Sequence, residues 1–373
     1  MVKYHNCYVN IDDRDVVQVI AALQEDSISG KGKFVNLFEK KLSTFFEANF
    51  ALSCCNATLG IYMILLLENI GPGDEVILPP TAPVMSVLPI LAVGATPIFV
   101  DNENRCFNVD INDLNQKITS NTKLFINVPM WGYANNIDKI VEVCANKNIK
   151  VLEDNSHCHG TKFFGQHLGT FGNYAVYSTH ERKLITTGEG GFLLIKSKSD
   201  YEKLSEIRSF GEIARSDSEY QSIKGSYGYF FGLNFKLSSI NAALGISQVD
   251  KLLEKIAIRK KNAAYLIENL NLLKTDIKEL SPIAGSDNNY YSIVLITNPE
   301  RKNEIEQKLA TNDIISDPMR YQYKPLYKMS LFEQYNSFCP NAEELTKSIF
   351  TLPVHEGLTK DDLDIFLNII SVI

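Results

Sequence analysis

The stretch STHERKLITTGEGG, from Ser178 to Gly191, places one lysine in a glycine-rich segment. The residues before it, YAVYS, and after it, GFLLIK, are apolar and aromatic, which indicates two strands. The chain therefore leaves one strand, presents Lys183 on a tight turn and enters the sheet again. Glycines permit such a turn because they tolerate backbone conformations that other residues rarely adopt.

Three interpretations of Lys183 are open from the residues alone. A solvated loop residue is the usual state of a lysine. A phosphate-binding loop is the second, but the chain has no G-x-x-x-x-G-K-[ST] spacing, and GEGG lacks the Rossmann glycine pattern. The third is a lysine that forms a Schiff base with a carbonyl group, which requires a partly desolvated amine.

The composition of the chain limits the classes of protein that it can belong to. It has 373 residues, of which 45% are apolar, and a net charge of −7. A large buried core and two domains are therefore expected, whereas a nucleic-acid partner is not. The longest apolar stretch, VLPILAVGATPIFV, contains two prolines and a glycine, so we expect no membrane partner. Seven scattered cysteines without a C-x-x-C pair predict a cytoplasmic protein.

Strand-like and helix-like segments alternate between residues 45 and 155. The segments EVILPP, TKLFINV and IKVLED read as strands, and helical stretches separate them. This alternation predicts parallel βαβ units with helices on both faces of a sheet. Ligands bind at the carboxyl ends of the strands in such sheets, which makes Asp154, Ser178 and Lys183 candidate site residues.

The rest of the chain predicts a second unit. A long helix is expected from Ser238–Ser239 to about residue 270, followed by a strand, YYSIVLI, and a helix, PERKNEIEQKLA. NAEELTKSIF is predicted as a further helix, and TKDDLDIFLNII begins with Thr359 and Asp362 in capping-box spacing. We therefore predict a large α/β domain over residues 1–250 and a small α+β domain over residues 251–373.

The Schiff-base interpretation makes further demands, because pyridoxal phosphate (PLP) needs more partners than one lysine. An acid must face its ring nitrogen, and Asp154 ends a predicted strand. Its phosphate is commonly held at a helix N-terminus, and NATLGIYMILL begins a predicted helix near Ala57. The amides of Ala57 and Thr58 and the Ser178 hydroxyl are candidate phosphate ligands. Each signal alone is weak. A buried aspartate at the end of a strand is more often a capping residue, and the sequence N-A-T more often only marks the start of a helix.

Longer motifs point to one family. They are GPGDEVILPP with GATPIFVD, VLEDNSHCHGTKFFG with YSTHERKLITTGEGG, and GLNFKLSSINAALGISQVDKL. Together they resemble the DegT/DnrJ/EryC1/StrS aminotransferases over nearly the whole chain. The resemblance implies the fold-type I α/β architecture of PLP-dependent transferases, which is aspartate-aminotransferase-like. It has a mostly parallel seven-stranded sheet in the large domain and a small C-terminal α+β domain.

The resemblance also implies roles for single residues. Lys183 stands at the family's Schiff-base position, and Asp154 pairs with the ring nitrogen. Asn234 contacts the phosphate of the neighbouring subunit, which implies a homodimer with shared active sites. The residues expected to hold the phosphate in the same chain are Ala57, Thr58 and Ser178.

Several positions depart from the family pattern. Pro83 stands where an aromatic residue often stacks on the ring, and His157 replaces the glutamine that approaches the ring hydroxyl. Thr179 replaces a phenylalanine, and Lys236 replaces an arginine. Because Lys183 is present, the branch of sugar 3-dehydratases, which has histidine there, is disfavoured. Candidate substrate contacts are Ser29, His180 and Tyr321, although a single tyrosine is at least as often a packing residue.

The implied reaction moves an amino group from an amino acid, glutamate or glutamine, to a keto-sugar. The sugar is expected to be nucleotide-linked, in the biosynthesis of cell-surface glycans or secondary metabolites. Two alternatives stay open: a non-catalytic binding or regulatory paralogue, and an aminotransferase for a non-nucleotide keto or aldehyde sugar or a cyclitol. A third concerns HCHG, since His157, Cys158 and His159 have zinc-ligand chemistry. No partner cluster accompanies them, and we predict no metal.

Overall fold

The structure, a computed structural model, describes residue 4 and residues 8–213, 221–273, 275–335 and 337–371. Its strands, in chain order, are β1 (Phe50–Cys54), β2 (Glu75–Leu78), β3 (Thr96–Phe99), β4 (Thr122–Asn127), β5 (Lys150–Asp154), β6 (Lys162–Phe163), β7 (Gln166–His167), β8 (Tyr174–Ser178), β9 (Gly191–Ile195), β10 (Lys278–Glu279), β11 (Ser286–Asp287), β12 (Ile293–Ile296) and β13 (Ile349–Leu352).

The helices were predicted in the right places for the most part. In chain order they are α1 (Asp13–Leu23), α2 (Lys33–Phe45), α3 (Ala57–Leu67), α4 (Val84–Ala92), α5 (Ile111–Lys117), α6 (Ile137–Asn146), α7 (Lys198–Arg208), α8 (Ser239–Leu272), α9 (Pro299–Ala310), α10 (Asp317–Arg320), α11 (Pro340–Ser348) and α12 (Lys360–Ser371). At α12 the predicted capping box is confirmed: the Thr359 amide donates to the Asp362 carboxylate at 2.8 Å.

The central sheet has seven strands in the order β1-β9-β8-β5-β4-β2-β3. Strand β9 runs antiparallel to both of its neighbours, and the pairs between β8 and β3 are parallel. The predicted fold, a mostly parallel seven-stranded sheet, is therefore confirmed. Two three-stranded sheets accompany it, β10-β12-β13 and β11-β6-β7.

One predicted element is wrong at its end. NAEELTKSIF was expected to be helical throughout, but α11 ends at Ser348 and β13 begins at Ile349. The residues of β13 are fully buried and pair with β12 over their whole length. β-Branched and aromatic side chains suit this buried sheet position, and the tertiary pairing outweighs the helical pattern before it.

Helix α8 connects the central sheet to the C-terminal part of the chain. Ser238 caps it by accepting a hydrogen bond from the amide of Asn241 at 3.2 Å. The helix then continues without a break across residues 250 and 251, where the boundary between domains is predicted. A second hydrophobic core, with residues between 263 and 370, lies on its C-terminal half. The division into two domains stays a prediction.

The described part of the chain has two further properties that bear on the sequence-based expectations. No helix in it combines the length and the apolarity that are needed to cross a membrane. Its six cysteines are all free thiols, and Cys54, Cys144, Cys158 and Cys339 are buried.

The last two residues of β5 are neighbouring carboxylates with different surroundings. Glu153 is fully buried and accepts hydrogen bonds from the amides of Gly169 (2.7 Å), Phe171 (2.9 Å) and Gly172 (2.7 Å). Its burial raises the pKa of this carboxyl above its usual range. Glu153 thereby fixes the segment that leads into β8, and Asp154 makes none of these contacts.

We expect Glu153→Ala to destabilise the fold, because it leaves three buried amides without their acceptor. Because a hydrogen bond to a charged group contributes about 1.5–3 kcal/mol and the three bonds are not additive, we expect a loss of roughly 3–5 kcal/mol in the free energy of unfolding. Urea denaturation followed by circular dichroism measures it. Glu142→Ala, at an exposed position of α6, is the control and should change stability little. Equal stabilities of the two variants would contradict the anchoring role.

Candidate active site

The sequence-predicted residues Asp154 and Ser178 end two adjacent parallel strands. In the register of β5 and β8, Asp154 pairs with Val176, so both strands finish at the same edge of the sheet. Lys183 follows on the loop that connects β8 to β9. The structure thus brings Asp154 to the same edge of the sheet as Ser178 and Lys183, which follow much later in the chain, and this is the edge where α/β sheets bind ligands.

The lysine loop, residues 179–190, is closed by its own main chain and by two threonines. The amide of Thr179 donates to the carbonyl of Gly190 at 2.9 Å, and the amide of Thr187 donates to the carbonyl of Thr179 at 2.8 Å. The hydroxyls of the two threonines lie 2.6 Å apart inside the loop. A Cβ at Gly190 would stand 2.3 Å and 2.5 Å from these hydroxyls, so only glycine fits there. Thr179 is therefore a structural part of this loop.

The side chain of Lys183 is partly buried beside an aromatic stack. Its Nζ lies 5.2 Å from the centre of the Tyr291 ring. Tyr291 in turn stacks on His157, with ring centres 4.4 Å apart and planes within 9°. The Nδ1 of His157 accepts a hydrogen bond from the amide of Trp131 at 3.3 Å. Burial and the charge of Lys183 hold the pKa of His157 well below its usual range, so the imidazole is neutral.

His159 faces a different environment from His157. It is fully buried, with ring centres 5.2 Å from Tyr177 and 6.2 Å from Phe192. Burial, Lys183 and Lys255 lower the pKa of His159 to about 3. Residues 156–160 form turns and not an extended strand, and the described residues contain no group of three or more His, Cys, Asp or Glu that could hold a metal. The zinc interpretation of HCHG gains no support from this geometry.

Asp154 is buried, and hydroxyl groups orient its carboxylate. Oδ2 accepts from the Ser86 hydroxyl at 2.6 Å, and Oδ1 accepts from the hydroxyl and the amide of Ser156 at 2.6 and 3.2 Å. Ser86 lies in the first turn of α4, where its amide donates to the carbonyl of Pro83 at 3.0 Å. Pro83 therefore lies one helical turn from a residue that contacts Asp154.

The N-terminus of α3 forms a cradle for an anion. Asn56 caps the helix through the amide of Leu59 at 2.8 Å. The amides of Ala57 and Thr58 precede the first hydrogen bond within the helix, so they can bind a phosphate. The sheet register aligns Gly191 with Cys54, next to α3, on one side and with Ser178 on the other.

Gly191 lets β9 pack closely against the start of α3 and the end of β8. A Cβ there would lie 2.7 Å from the amide nitrogen of Ala57 and 2.9 Å from the carbonyl oxygen of Tyr177. The residues at this edge therefore fit PLP. They offer an anion cradle, an amine and a buried carboxylate, in addition to a neutral imidazole.

Two of the three candidate substrate residues, His180 and Tyr321, lie at the lysine loop, and Arg182 contacts both of them. Arg182 donates from Nη1 to the Tyr321 hydroxyl at 2.6 Å, and its amide donates to Nδ1 of His180 at 3.4 Å. Tyr321 is 53% exposed. His180 also lies near Glu189, with Nε2 3.6 Å from the carboxylate. Tyr321 comes from α10's end, so the fold brings it to the lysine loop from the C-terminal part of the chain.

Ser29 and Asn234 are both exposed. Ser29 belongs to a turn whose Gly30 packs so tightly on Lys236 that a Cβ would stand 2.4 Å from the Cβ of that lysine. Asn234 bridges to Ser209 through the main chain. The predicted roles of Ser29 and Asn234 stay predictions.

Sequence reasoning missed four residues that contact this group. Ser156 follows Asp154 by two positions, a spacing typical of side-chain turns, and could have been found. Ser86 is a lone polar residue in the apolar helix VMSVLPILA, which was also a usable signal. Tyr291 and Trp131 carried no local signal, because only the tertiary structure brings their rings to His157.

Comparison with known proteins settles the family. The sequence profile of the DegT/DnrJ/EryC1/StrS aminotransferase family matches residues 9–371. This chain belongs to that family. It is therefore a PLP-dependent aminotransferase, and its α/β structure is the fold-type I architecture that the sequence predicts.

Individual members of the aminotransferase family resemble the chain over most of its length. The GDP-perosamine synthase of Escherichia coli O157:H7 is 29% identical over 337 residues, which cover 90% of this chain and 89% of that protein. In fold, the aminotransferase TlmJ of Streptoalloteichus hindustanus matches with a TM-score of 0.90 at 21% identity, covering 99% and 98% of the two chains. Spr1654 of Streptococcus pneumoniae, in its PMP form, matches with a TM-score of 0.88 at 24% identity, covering 98% and 97%.

We expect Gly191→Ala to weaken PLP binding by this aminotransferase at least about tenfold, which is about 1.4 kcal/mol. The added Cβ meets main-chain atoms of Ala57 and Tyr177, which cannot move aside as a flexible side chain can. Equilibrium dialysis against PLP measures the dissociation constant. Gly71→Ala is the control, since its Cβ would meet no atom closer than 3.7 Å. Unchanged affinity in Gly191→Ala would show that the cradle lies elsewhere.

Proposed function

We propose that this aminotransferase transfers the amino group of glutamate or glutamine to a keto-sugar carried by a nucleotide. The observation that carries the proposal is the placement of Lys183 and the buried Asp154 at one edge of the sheet, beside an anion cradle. Its substrate class is supported by the similarity to a GDP-perosamine synthase over 90% of the chain. Arg182 adds a positive charge beside Tyr321, which favours a substrate that carries phosphate groups.

In the proposed reaction, Lys183 transfers the α-proton of the donor amino acid, and Asp154 keeps a proton at the ring nitrogen of PLP. Bound PLP supplies an electron-accepting ring that stabilises the negative charge left when the α-proton of the donor amino acid departs. The Nζ of Lys183 accepts that proton as a base and returns it as an acid. The carboxylate of Asp154, oriented by Ser86 and Ser156, holds a proton at the ring nitrogen.

His157 takes the place of the family's glutamine as a hydrogen-bond donor. Because its Nδ1 accepts the amide proton of Trp131 and the imidazole is neutral, its proton resides on Nε2. Nε2–H is then the group available to donate to the ring hydroxyl. A neutral donor at this position orients the ring without adding a positive charge beside Lys183.

The first experiment tests the donor half of the reaction. Purified protein with PLP is treated with borohydride, and peptide mapping should find the pyridoxyl group on Lys183. Without borohydride, glutamate or glutamine should bleach the absorbance of the lysine-bound cofactor, whereas Lys183→Ala should show neither result. Labelling of a different lysine would overturn the assignment of Lys183.

A second experiment, on the second half of the reaction, identifies the class of sugar that accepts the amino group. The amino-loaded enzyme is mixed with nucleotide-linked keto-sugars that carry GDP or dTDP, and in parallel with free keto and aldehyde sugars and keto-cyclitols. Recovery of the absorbance only with nucleotide-linked substrates supports the proposal. Recovery only with free sugars or cyclitols contradicts it in favour of the alternative substrate class.

We also propose a homodimer whose active sites are shared through Asn234. The residue is exposed, and so are the large apolar side chains that precede it, with Tyr227 55%, Tyr229 56% and Phe231 62% exposed. Such a run of exposed aromatic residues favours burial against another chain. In this proposal Asn234 donates to the phosphate bound by the partner subunit. The alternative is its own subunit, because the carbonyl of Phe235 accepts from the amide of Cys55, two residues before Ala57.

Mixing the inactive variant Lys183→Ala with the weakened variant Asn234→Ala distinguishes these arrangements. Asn234→Ala loses a hydrogen bond to a charged acceptor, worth roughly 1.5–3 kcal/mol, so PLP affinity should fall by about one to two orders of magnitude. When Lys183→Ala and Asn234→Ala subunits exchange at limiting PLP, one site of each hybrid dimer has both intact residues. Activity should then reach about a quarter of the wild-type value. Activity equal to the mean of the two parents, after proven exchange, would show that Asn234 serves its own subunit's site or none, and the shared-site proposal would be wrong.

A further inference from the structure

Three cations line one buried face of α8. Lys251, Lys255 and Arg259 follow one another at intervals of one helical turn and are only 1%, 3% and 3% exposed. Buried charges require hydrogen-bonding partners. Lys251 binds Asp15 and the carbonyl of Asn10 in the N-terminal segment, so its charge is paired there.

Arg259 contacts the segment of Tyr291, whose ring lies beside Lys183. Its guanidinium pairs with Glu356 at 2.9 Å and donates to the carbonyl of Tyr291 at 3.0 Å. The ring of Tyr291 is the one that lies beside Lys183 and stacks on His157. One helix therefore holds the main chain of the aromatic stack that borders the lysine.

Lys255 is different from both neighbours, because it forms no ion pair within the described residues. Its Nζ donates to the carbonyl of Leu184 at 2.8 Å and to Oε1 of Gln248 at 2.5 Å. Leu184 directly follows Lys183 in the lysine loop. Burying an ammonium group without a carboxylate partner costs free energy, so its position next to the loop needs another reason.

We propose that Lys255 is a positioning residue for Lys183. It fixes the lysine loop through the carbonyl of Leu184, and its charge beneath the loop disfavours a second positive charge on the Lys183 nitrogen. An uncharged Lys183 amine is the form that attacks a carbonyl and accepts a proton. This inference rests on the proposed role of Lys183.

The electrostatic surroundings define the pH range in which Lys255 acts. Burial, together with the neighbouring charges of Lys251 and Arg259, lowers the pKa of Lys255 to about 8. Its charge is therefore present below that pH and lost above it. The same charge contributes to the lowered pKa of the buried His159. The other ionisable groups that face Lys255 are Glu356, Asp15, Lys251, Arg259 and His159.

The experiment compares Lys255→Met and Lys255→Gln with Lys251→Met. Met removes both the donor and the charge, whereas Gln keeps a donor without charge. Lys251 is the matched control, since it is equally buried and lies one turn away but binds the N-terminal segment. Two readouts are used: the pH titration of the absorbance of the lysine-bound cofactor, and hydrogen exchange in cofactor-free protein at the amides of Lys183 and Thr187.

In both Lys255 variants we expect the midpoint of the absorbance titration to rise by about one pH unit, because a nearby positive charge is lost. The difference from wild type should be largest below pH 8. In cofactor-free Lys255→Met, the two loop amides, which donate to His180 and Thr179, should exchange about tenfold faster. Lys251→Met should change neither readout by more than a small fraction of this.

Each result decides part of the proposal. An unchanged midpoint in both Lys255 variants overturns the role of the charge, and unchanged exchange in Lys255→Met overturns the role of the hydrogen bond. If Lys255→Met does not fold, Lys255→Gln still tests the charge. A wild-type protein without lysine-bound cofactor absorbance would contradict the proposed function, and exchange in the cofactor-free protein would still test whether Lys255 holds the loop.

Discussion

The close approach of Gly191 to the start of α3 is the contact on which the candidate site depends. A Cβ at this position would stand 2.7 Å from the amide nitrogen of Ala57 and 2.9 Å from the carbonyl oxygen of Tyr177. Because both neighbours are main chain, the glycine sets how closely β9 fits between β1 and β8. Gly191 pairs with Cys54 on one side and with Ser178 on the other, and Ser178 leads into the loop of Lys183. The close packing at Gly191 therefore positions both the anion cradle and the amine.

The two neighbouring carboxylates of β5, Glu153 and Asp154, have different roles: the first stabilises the fold and the second is available to a ligand. Glu153 accepts hydrogen bonds from three amides and fixes the segment that leads into β8. Asp154 accepts hydrogen bonds from the hydroxyls of Ser86 and Ser156. Successive side chains of a strand point to opposite faces of the sheet. One carboxylate can therefore support the fold beneath the site while the next is offered to a ligand, and the two positions tolerate different substitutions.

Helix α8 joins these parts to the rest of the chain. Its polar stripe binds the N-terminal segment through Lys251, the lysine loop through Lys255 and the segment of Tyr291 through Arg259. The loop of Lys183 buries Leu184 and Ile185 in the hydrophobic core, and hydrogen bonds to its main chain, among them that from Lys255, hold it as well. The rigid helix thus sets the distance between Lys183 and the aromatic stack, which neither loop can set alone.

The sequence by itself determined the mostly parallel α/β fold and the placement of Asp154, Ser178 and Lys183 at strand ends, because hydrophobic periodicity and motif spacing are local properties. It misjudged the end of α11, where pairing with β12 makes residues from Ile349 onward a strand. Only the tertiary structure decided that Tyr291 stacks on His157, that Arg182 reaches Tyr321 and that Lys255 lies beneath the lysine loop. These contacts join segments distant along the chain, and no local pattern encodes which side chains meet when helices and sheet pack together.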